Sequence, residues 1–218
     1  MKKVVVFGNN ALADIVQFYL GEEGIDSIRV LNREFLPQLY GENLDKEVLA
    51  IEEAIEQYGS NQLCAYITIG YNQMNSIRMI VYKWLKENGV EILNFIHNTS
   101  YIASNCDVGE GNIFLENVVV QPYVSIGNCN IFFSNTTICH HSKVNNFNYF
   151  SPGSVVCGRV SIGDKNFIGA NCTVRNDISI GDSCILGAHT LSYKDICDEG
   201  VIIHNHDSIK NGTRVNLL

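Results

Sequence analysis

The sequence predicts two architectures in series. An α/β domain occupies residues 1–97, and a stack of triangular coils built from hexapeptide repeats occupies residues 98–218. Three observations predict this. Short apolar runs alternate with amphipathic helical stripes in the first part. From Ile102 onward, every sixth residue is large and apolar without interruption to Leu186. The residue after it is often glycine, as at Gly109, Gly127, Gly163, Gly169, Gly181 and Gly187.

In chain order, Val4 to Phe7 reads as a buried strand, and Leu12, Ile15, Val16, Tyr19 and Leu20 follow as one helical stripe. Ser27 to Leu31 is a second strand. Ile51, Ala54, Ile55 and Tyr58 form another stripe, then Leu63 to Ile69 is strand-like. Ile77, Ile80, Val81, Trp84 and Leu85 repeat the helical spacing, and Ile92 to Ile96 closes this part as a last strand. Strands alternating with helices require parallel pairing through right-handed crossovers, and so a three-layer domain.

The hexads follow a different rule. Each is a short strand plus a corner, with the large residue pointing into the bore and a smaller one, such as Asn112, Ser142, Ser154 or Cys172, at the bend. Three hexads close a coil of 18 residues, so residues 102–191 make five coils. Residues 18 apart stack at the inter-strand spacing of about 4.8 Å. Cys139 and Cys157 are such a pair, but all eight cysteines are expected as free thiols, because no CxxC pair occurs and a cytoplasmic compartment is reducing.

Composition narrows the function. The net charge is −8, and no long basic run occurs, which disfavours nucleic acid and anionic membranes as partners. No stretch of about 18 apolar residues is present, so no membrane insertion is expected. The start lacks a signal-peptide pattern, and the protein is expected to be cytoplasmic.

Two sets of residues can carry chemistry. His140 and His141 lie inside the coil array, with His140 expected on a flat face and Gly158 stacked one coil beyond it. A base beside an approachable amide donor is the minimum equipment for acyl transfer. A surface pair of histidines without catalytic duty has the same spacing. Shared metal ligation is disfavoured, since neighbours on a strand point to opposite faces, and His204 with His206 lacks a companion cluster. No metal is expected. The second set is Gly8, Asn9, Asn10 and Ala11, a turn from a strand into a helix N-terminus suited to phosphate. Gly70, Tyr71 and Asn72 follow another strand on the same edge, so a ligand crevice is expected there; Asn72 as a simple helix cap is the competing reading. GxGxxG is absent and the second strand ends in Asn32 and Arg33, which disfavours a dehydrogenase. Asn32 is grouped with the substrate-holding residues.

The coil array with Ile138, Cys139, His140, His141 and Ser142, followed by Ser151, Pro152, Gly153 and then Cys157 and Gly158, resembles the nucleotide-sugar N-acetyltransferases of the bacillosamine and perosamine type and their sialic-acid O-acetyltransferase relatives. The similarity spans nearly the whole chain. It implies a Rossmann-like first domain, a left-handed parallel β-helix and a homotrimer, with acetyl-CoA bound between subunits and an NDP-sugar held by the first domain. Val118 and Phe133, expected to face outward, would be buried by trimer formation. The resemblance further implies that His140 is the general base, that His141 stands where the family has an acidic residue, and that the Gly158 amide faces the acetyl carbonyl. It places Tyr149 where the family has a second histidine, and it groups Tyr149, Gly158, Ala170 and Ala188 as the residues that bind the coenzyme. Asn9, Asn10 and Ala11 would hold the sugar nucleotide. The implied reaction is N-acetylation of an NDP-amino sugar, with O-acetylation of a sugar hydroxyl as the alternative and a non-catalytic binding protein as a third possibility.

Overall fold

The computed structural model describes residues 2–33 and 48–203. Its first part is a five-stranded parallel sheet of order β3-β2-β1-β4-β5, with β1 Lys3–Phe7, β2 Ser27–Leu31, β3 Leu49–Ala50, β4 Leu63–Ile67 and β5 Glu91–Ile92. Helix α1 (Ala11–Glu22) covers one face, where Leu12, Val16 and Leu20 meet Val6. Helices α2 (Ile51–Tyr58) and α3 (Ser76–Glu87) cover the other, where Ile51, Ile77, Val81 and Leu85 meet Val5 and Phe7. Alternation along β1 thus feeds two cores, the three layers expected of the pattern.

One expected element divides. The run from Ile92 to Ile96 is two strands: Glu91–Ile92 belongs to the α/β sheet, while Phe95–Ile96 pairs with Ile113–Phe114 and opens the coil stack. Asn94, between them, donates to the Gly109 carbonyl and accepts from the Asn112 N–H, which turns the chain out of one sheet into the other.

The second part is a left-handed parallel β-helix whose two-residue strands form three flat sheets, with partners 18 residues apart in every ladder through its central coils. The first sheet passes through Thr137–Ile138 and Val155–Val156, the second through Lys143–Val144 and Ser161–Ile162, and the third through Tyr149–Phe150 and Phe167–Ile168. The residues of the six-residue period are buried in the bore from Phe114 to Leu186. Ile102 and Val108 are only partly buried, because no coil lies beneath their own. Phe114, Phe132 and Phe150 stack ring on ring with centroids 4.8 Å apart.

Two side-chain ladders explain the repeat chemistry. Asn112, Asn130, Asn148 and Asn166 are fully buried, and each Oδ1 accepts the main-chain N–H of the residue 18 positions on, at 2.6–2.9 Å. Corner groups that the strands leave unpaired are thereby satisfied. Outside it, Asn128, Asn146, Asp164 and Asp182 cap the preceding coil's N–H groups in the same way. The glycines after the bore residue make room for this outer ladder: a Cβ at Gly109 would lie 2.3 Å from Asn128 Oδ1, and one at Gly163 would lie 2.2 Å from Asp182 Oδ1.

Val118 does not face outward as expected: it is buried inside the bore, since its corner position turns inward. Phe133 does point out of the bore, but its own chain covers it, with Tyr149 packed against it at a centroid distance of 5.2 Å. The uncharged outer face of the first sheet is instead made by Tyr101, Val119, Thr137, Val155, Thr173 and Leu191.

Candidate active site

The strand Thr137–Ile138 ends in a corner, and His140 and His141 form its turn. His141 has φ 59°, one of a series of left-handed residues recurring every six positions through Asn135, Phe147, Arg159 and Lys165. This corrects the expected placement of His140 on a flat face with its neighbour pointing away. Because the turn breaks the strand's alternation, both rings leave the same corner, with Nδ1 of one 3.2 Å from Nδ1 of the other. Only one of two neutral imidazoles facing in this way can donate. His141 also stacks on Tyr123, with centroids 4.6 Å apart, which holds it in place from the coil below.

His140 is fixed by its main chain. Its N–H donates to Gln121 Oε1 at 3.0 Å, and its carbonyl accepts from the Arg159 N–H at 3.0 Å. The ring covers Gly158, where a Cβ would sit 2.6 Å from Cε1 and 2.8 Å from Nε2. Glycine is therefore required at 158 for the histidine to lie where it does. The Gly158 N–H has no hydrogen-bond acceptor among the described residues, although the residue is buried. Cys139 and Cys157 flank this corner as free thiols, like the other six cysteines, and burial pushes the Cys139 thiol up.

The expected crevice is present on the α/β domain. Gly8, at φ 152°, makes the turn after β1, and a Cβ there would lie 2.3 Å from Thr68 Oγ1. Asn10 caps α1 by accepting from the Ala13 N–H at 3.0 Å and donates to the Thr68 carbonyl at 2.9 Å, which joins the two loops. Asn9, Asn10, Ala11 and Leu12 face Ile69, Gly70, Tyr71 and Asn72 across a cleft of about 430 Å³. Asn72 lines the cleft and does not cap α3, which starts at Ser76 behind Asn75. Asn32 is buried at the end of β2 and is not a lining residue.

Two further walls come from the β-helix, Phe133 and Tyr149. Tyr71 packs edge-on against Tyr149 and Phe167, with centroids 5.1 and 5.0 Å away. Burial, reinforced by Tyr71, pushes the Tyr149 phenol up to about 12. Tyr149 thus belongs to the cleft of its own chain, on the third sheet, whereas His140 leaves the corner between the first and second sheets. Ala170 and Ala188 stack at another corner, with the His189 N–H donating to the Ala170 carbonyl at 2.8 Å. The α/β domain contacts the third sheet and its flanking corners, through Phe95, Ile113, Ile131, Cys129 and Phe147. Within one chain the histidine pair therefore lies on the opposite side of the prism from the cleft.

Sequence reasoning missed Arg78. It is fully buried, and burial pulls its guanidinium down to about 10. The available signal was a charged residue at helical spacing from the buried Val81 and Leu85. Equally unforeseen, Gln73, Met74 and Asn75 all have positive φ, at 49°, 50° and 63°. Asparagine tolerates this conformation, but Gln73 and Met74 each cost about 1–2 kcal/mol in it, so the turn behind Tyr71 needs support from its surroundings.

Among the described residues no group of three His, Cys, Asp or Glu is placed to hold a metal, and no helix is long and apolar enough to cross a membrane. His204, Asn205 and His206 lie outside the described residues.

The family model "Bacterial transferase hexapeptide (six repeats)" matches residues 159–191. No curated protein sequence matches the chain. Among solved structures, a variant of perosamine N-acetyltransferase from Caulobacter crescentus, in complex with CoA and GDP-perosamine, is 21% identical with TM-score 0.79, over 92% of this chain and 93% of that one. The acetyltransferase domain of PglB from Neisseria gonorrhoeae FA1090, in complex with acetyl coenzyme A, is 20% identical with TM-score 0.78, over 92% and 95%. WeeI from Acinetobacter baumannii AYE is 17% identical with TM-score 0.81, over 94% and 98%. At these identities the likeness establishes the fold of nearly the whole chain.

Proposed function

We propose that the protein is an acyltransferase that moves the acetyl group of acetyl-CoA to the amino group of a nucleotide-linked sugar. The observation that carries this reading is the His140 ring lying over the buried Gly158, whose N–H has no acceptor among the described residues. His140 is the general base and the Gly158 N–H the oxyanion donor. With Nδ1–H of His140 directed to His141 Nδ1, the Nε2 lone pair is left for the acceptor's proton. The amine attacks the thioester carbon, its proton passes to His140 Nε2, and the C–S bond breaks as the tetrahedral intermediate collapses. The proton then leaves with the CoA thiol. No covalent enzyme intermediate is needed, because the histidine corner only positions, deprotonates and stabilises.

The cleft between Asn10 and Tyr71 suits the nucleotide sugar, with Asn9, Asn10 and Ala11 at a helix N-terminus on the phosphate side. The similar structures bound to CoA and GDP-perosamine support the assignment of both substrates. Because base and cleft lie on opposite sides of one prism, the reaction requires a second copy to bring its corner to the cleft. A homotrimer packed through the uncharged face of Val119, Thr137, Val155 and Thr173 meets that need. Ala170 and Ala188 would line the coenzyme groove between copies. Residues 1–97 are assigned to the sugar nucleotide and residues 98–218 to acyl transfer.

Mass spectrometry after incubation with acetyl-CoA and a panel of NDP-amino and NDP-hydroxy sugars tests this. One added acetyl group on an amino sugar, stable to mild alkali and lost in His140→Ala, is the expected result. An alkali-labile product on a hydroxyl sugar would reassign the acceptor, and no product with any panel member would remove the activity.

A further inference from the structure

Among the described residues, Arg78 has no carboxylate beside its buried positive charge, and all its hydrogen-bond partners are neutral oxygens. Its guanidinium donates to the carbonyls of Ile69 and Gly70, both at 2.9 Å, which form the cleft loop. It also donates to the carbonyls of Cys129, Phe147 and Asn148 at 2.9–3.0 Å, which belong to a corner of the β-helix. Asn75 links the two groups: Oδ1 accepts from Arg78 at 3.0 Å, while Nδ2 donates to the Asn166 carbonyl at 3.2 Å. An apolar side chain would pack α3 against the sheet at least as well as a buried charge does. What the planar five-donor fork adds is orientation, since it satisfies carbonyls from both parts only in one relative placement.

The turn held in this way is the left-handed run of Gln73, Met74 and Asn75. It directly follows Tyr71 and Asn72, which line the cleft. Released from the clamp, these residues would relax toward ordinary backbone conformations and carry Tyr71 off Tyr149 and Phe167.

We propose that Asn75 and Arg78 are positioning residues that lock the cleft loop to the β-helix, so that the wall of the nucleotide-sugar site is set by the coil stack and not by the α/β domain alone. The proposal rests on the assignment of the cleft to a nucleotide sugar. It makes the clamp specific for that ligand, leaving acetyl-CoA binding untouched.

The test uses full-length Asn75→Gly, in which glycine accepts the left-handed φ but both side-chain hydrogen bonds are gone. Arg78→Lys, which keeps a buried cation with fewer donors, is the second variant. Two readouts are taken, hydrogen exchange at the Asn75 and Ser76 amides and calorimetric binding of an NDP-amino sugar and of acetyl-CoA. The expected result is exchange faster by about tenfold at those amides with the Cys139 amide unchanged. Sugar affinity should weaken by about tenfold, with acetyl-CoA affinity within about twofold. Unchanged exchange, or faster exchange with unchanged sugar affinity, would overturn the positioning role. So would equal loss of both ligands with a fall in melting temperature, since that marks a purely structural part. If the unsubstituted protein binds no nucleotide sugar, the cleft assignment fails and the proposal with it, a result visible before any variant is made.

Discussion

The His140 ring occupies the space that any side chain at position 158 would need, with ring atoms Cε1 and Nε2 2.6 and 2.8 Å from a Cβ placed on Gly158. These residues, 18 apart on successive coils, are sterically complementary, a large ring over no side chain at all. Gly158→Ala should push the ring off its position while the coil survives, because the clash is with one exposed imidazole and not with backbone. Acetyl transfer should fall by about 100-fold, as for a displacement of about 1 Å in a catalytic group, with melting nearly unchanged. Wild-type turnover in this variant would remove the contact from the mechanism.

His141 supplies an imidazole partner to His140, and its left-handed φ of 59° limits what can replace it. Asparagine tolerates that conformation and offers a carbonyl oxygen to the His140 Nδ1–H. We expect His141→Asn to retain transfer within about fivefold, and His141→Gly to lose at least about tenfold, because nothing then selects the tautomer with Nε2 free. Single-turnover rates separate the two, and equal rates would exclude His141 from orienting the base.

Val155 sits at the middle of the uncharged first sheet, between Thr137 and Thr173. Val155→Arg places a charge on the proposed interface, where burial without a partner is costly by several kcal/mol. Sedimentation velocity should show a trimer for the natural sequence and a monomer for the variant, and the monomer should lack acetyl transfer. A variant that remains trimeric would place the interface elsewhere.

Glu110 and Glu116 tie the α/β domain to the first coils. Burial pushes the Glu116 carboxyl up, but hydrogen bonds from Ser134 and Tyr19 outweigh it and hold it below its ordinary value; Lys86 and Tyr82 do the same for Glu110. A carboxyl depressed in the folded state contributes stability that is fully present above its ordinary value of 4.5 and is lost as the pH falls through the folded value. Calorimetric melting should therefore decline below about pH 4.5, and more steeply for the natural sequence than for the double variant Glu110→Gln, Glu116→Gln. Parallel curves for the two would mean that these carboxylates do not carry the acid sensitivity.

Much of this protein was legible because the six-residue period is a local rule. One bore residue per strand, glycine where the outer Asn or Asp ladder needs room, and 18 residues per coil allow neighbours such as His140 and Gly158 to be found by subtraction. The two cleft loops were legible for a similar reason, since parallel strands put Gly8 and Gly70 on one edge. The corner was misread where periodicity carries no information about φ: His140 and His141 follow a turn and not a strand, and Val118 turns inward.

Sequence alone thus determined the two architectures, the stacking partners and the two loops that meet at the cleft, because each depends on spacing along the chain. Only the tertiary structure decided that Arg78 and Asn75 join the cleft to the coils, and that Tyr149 walls the cleft. It also decided that the histidine pair lies on the far side of the prism from the cleft within one chain. These depend on how the α/β domain docks on the third sheet, a long-range packing choice that no repeat period encodes.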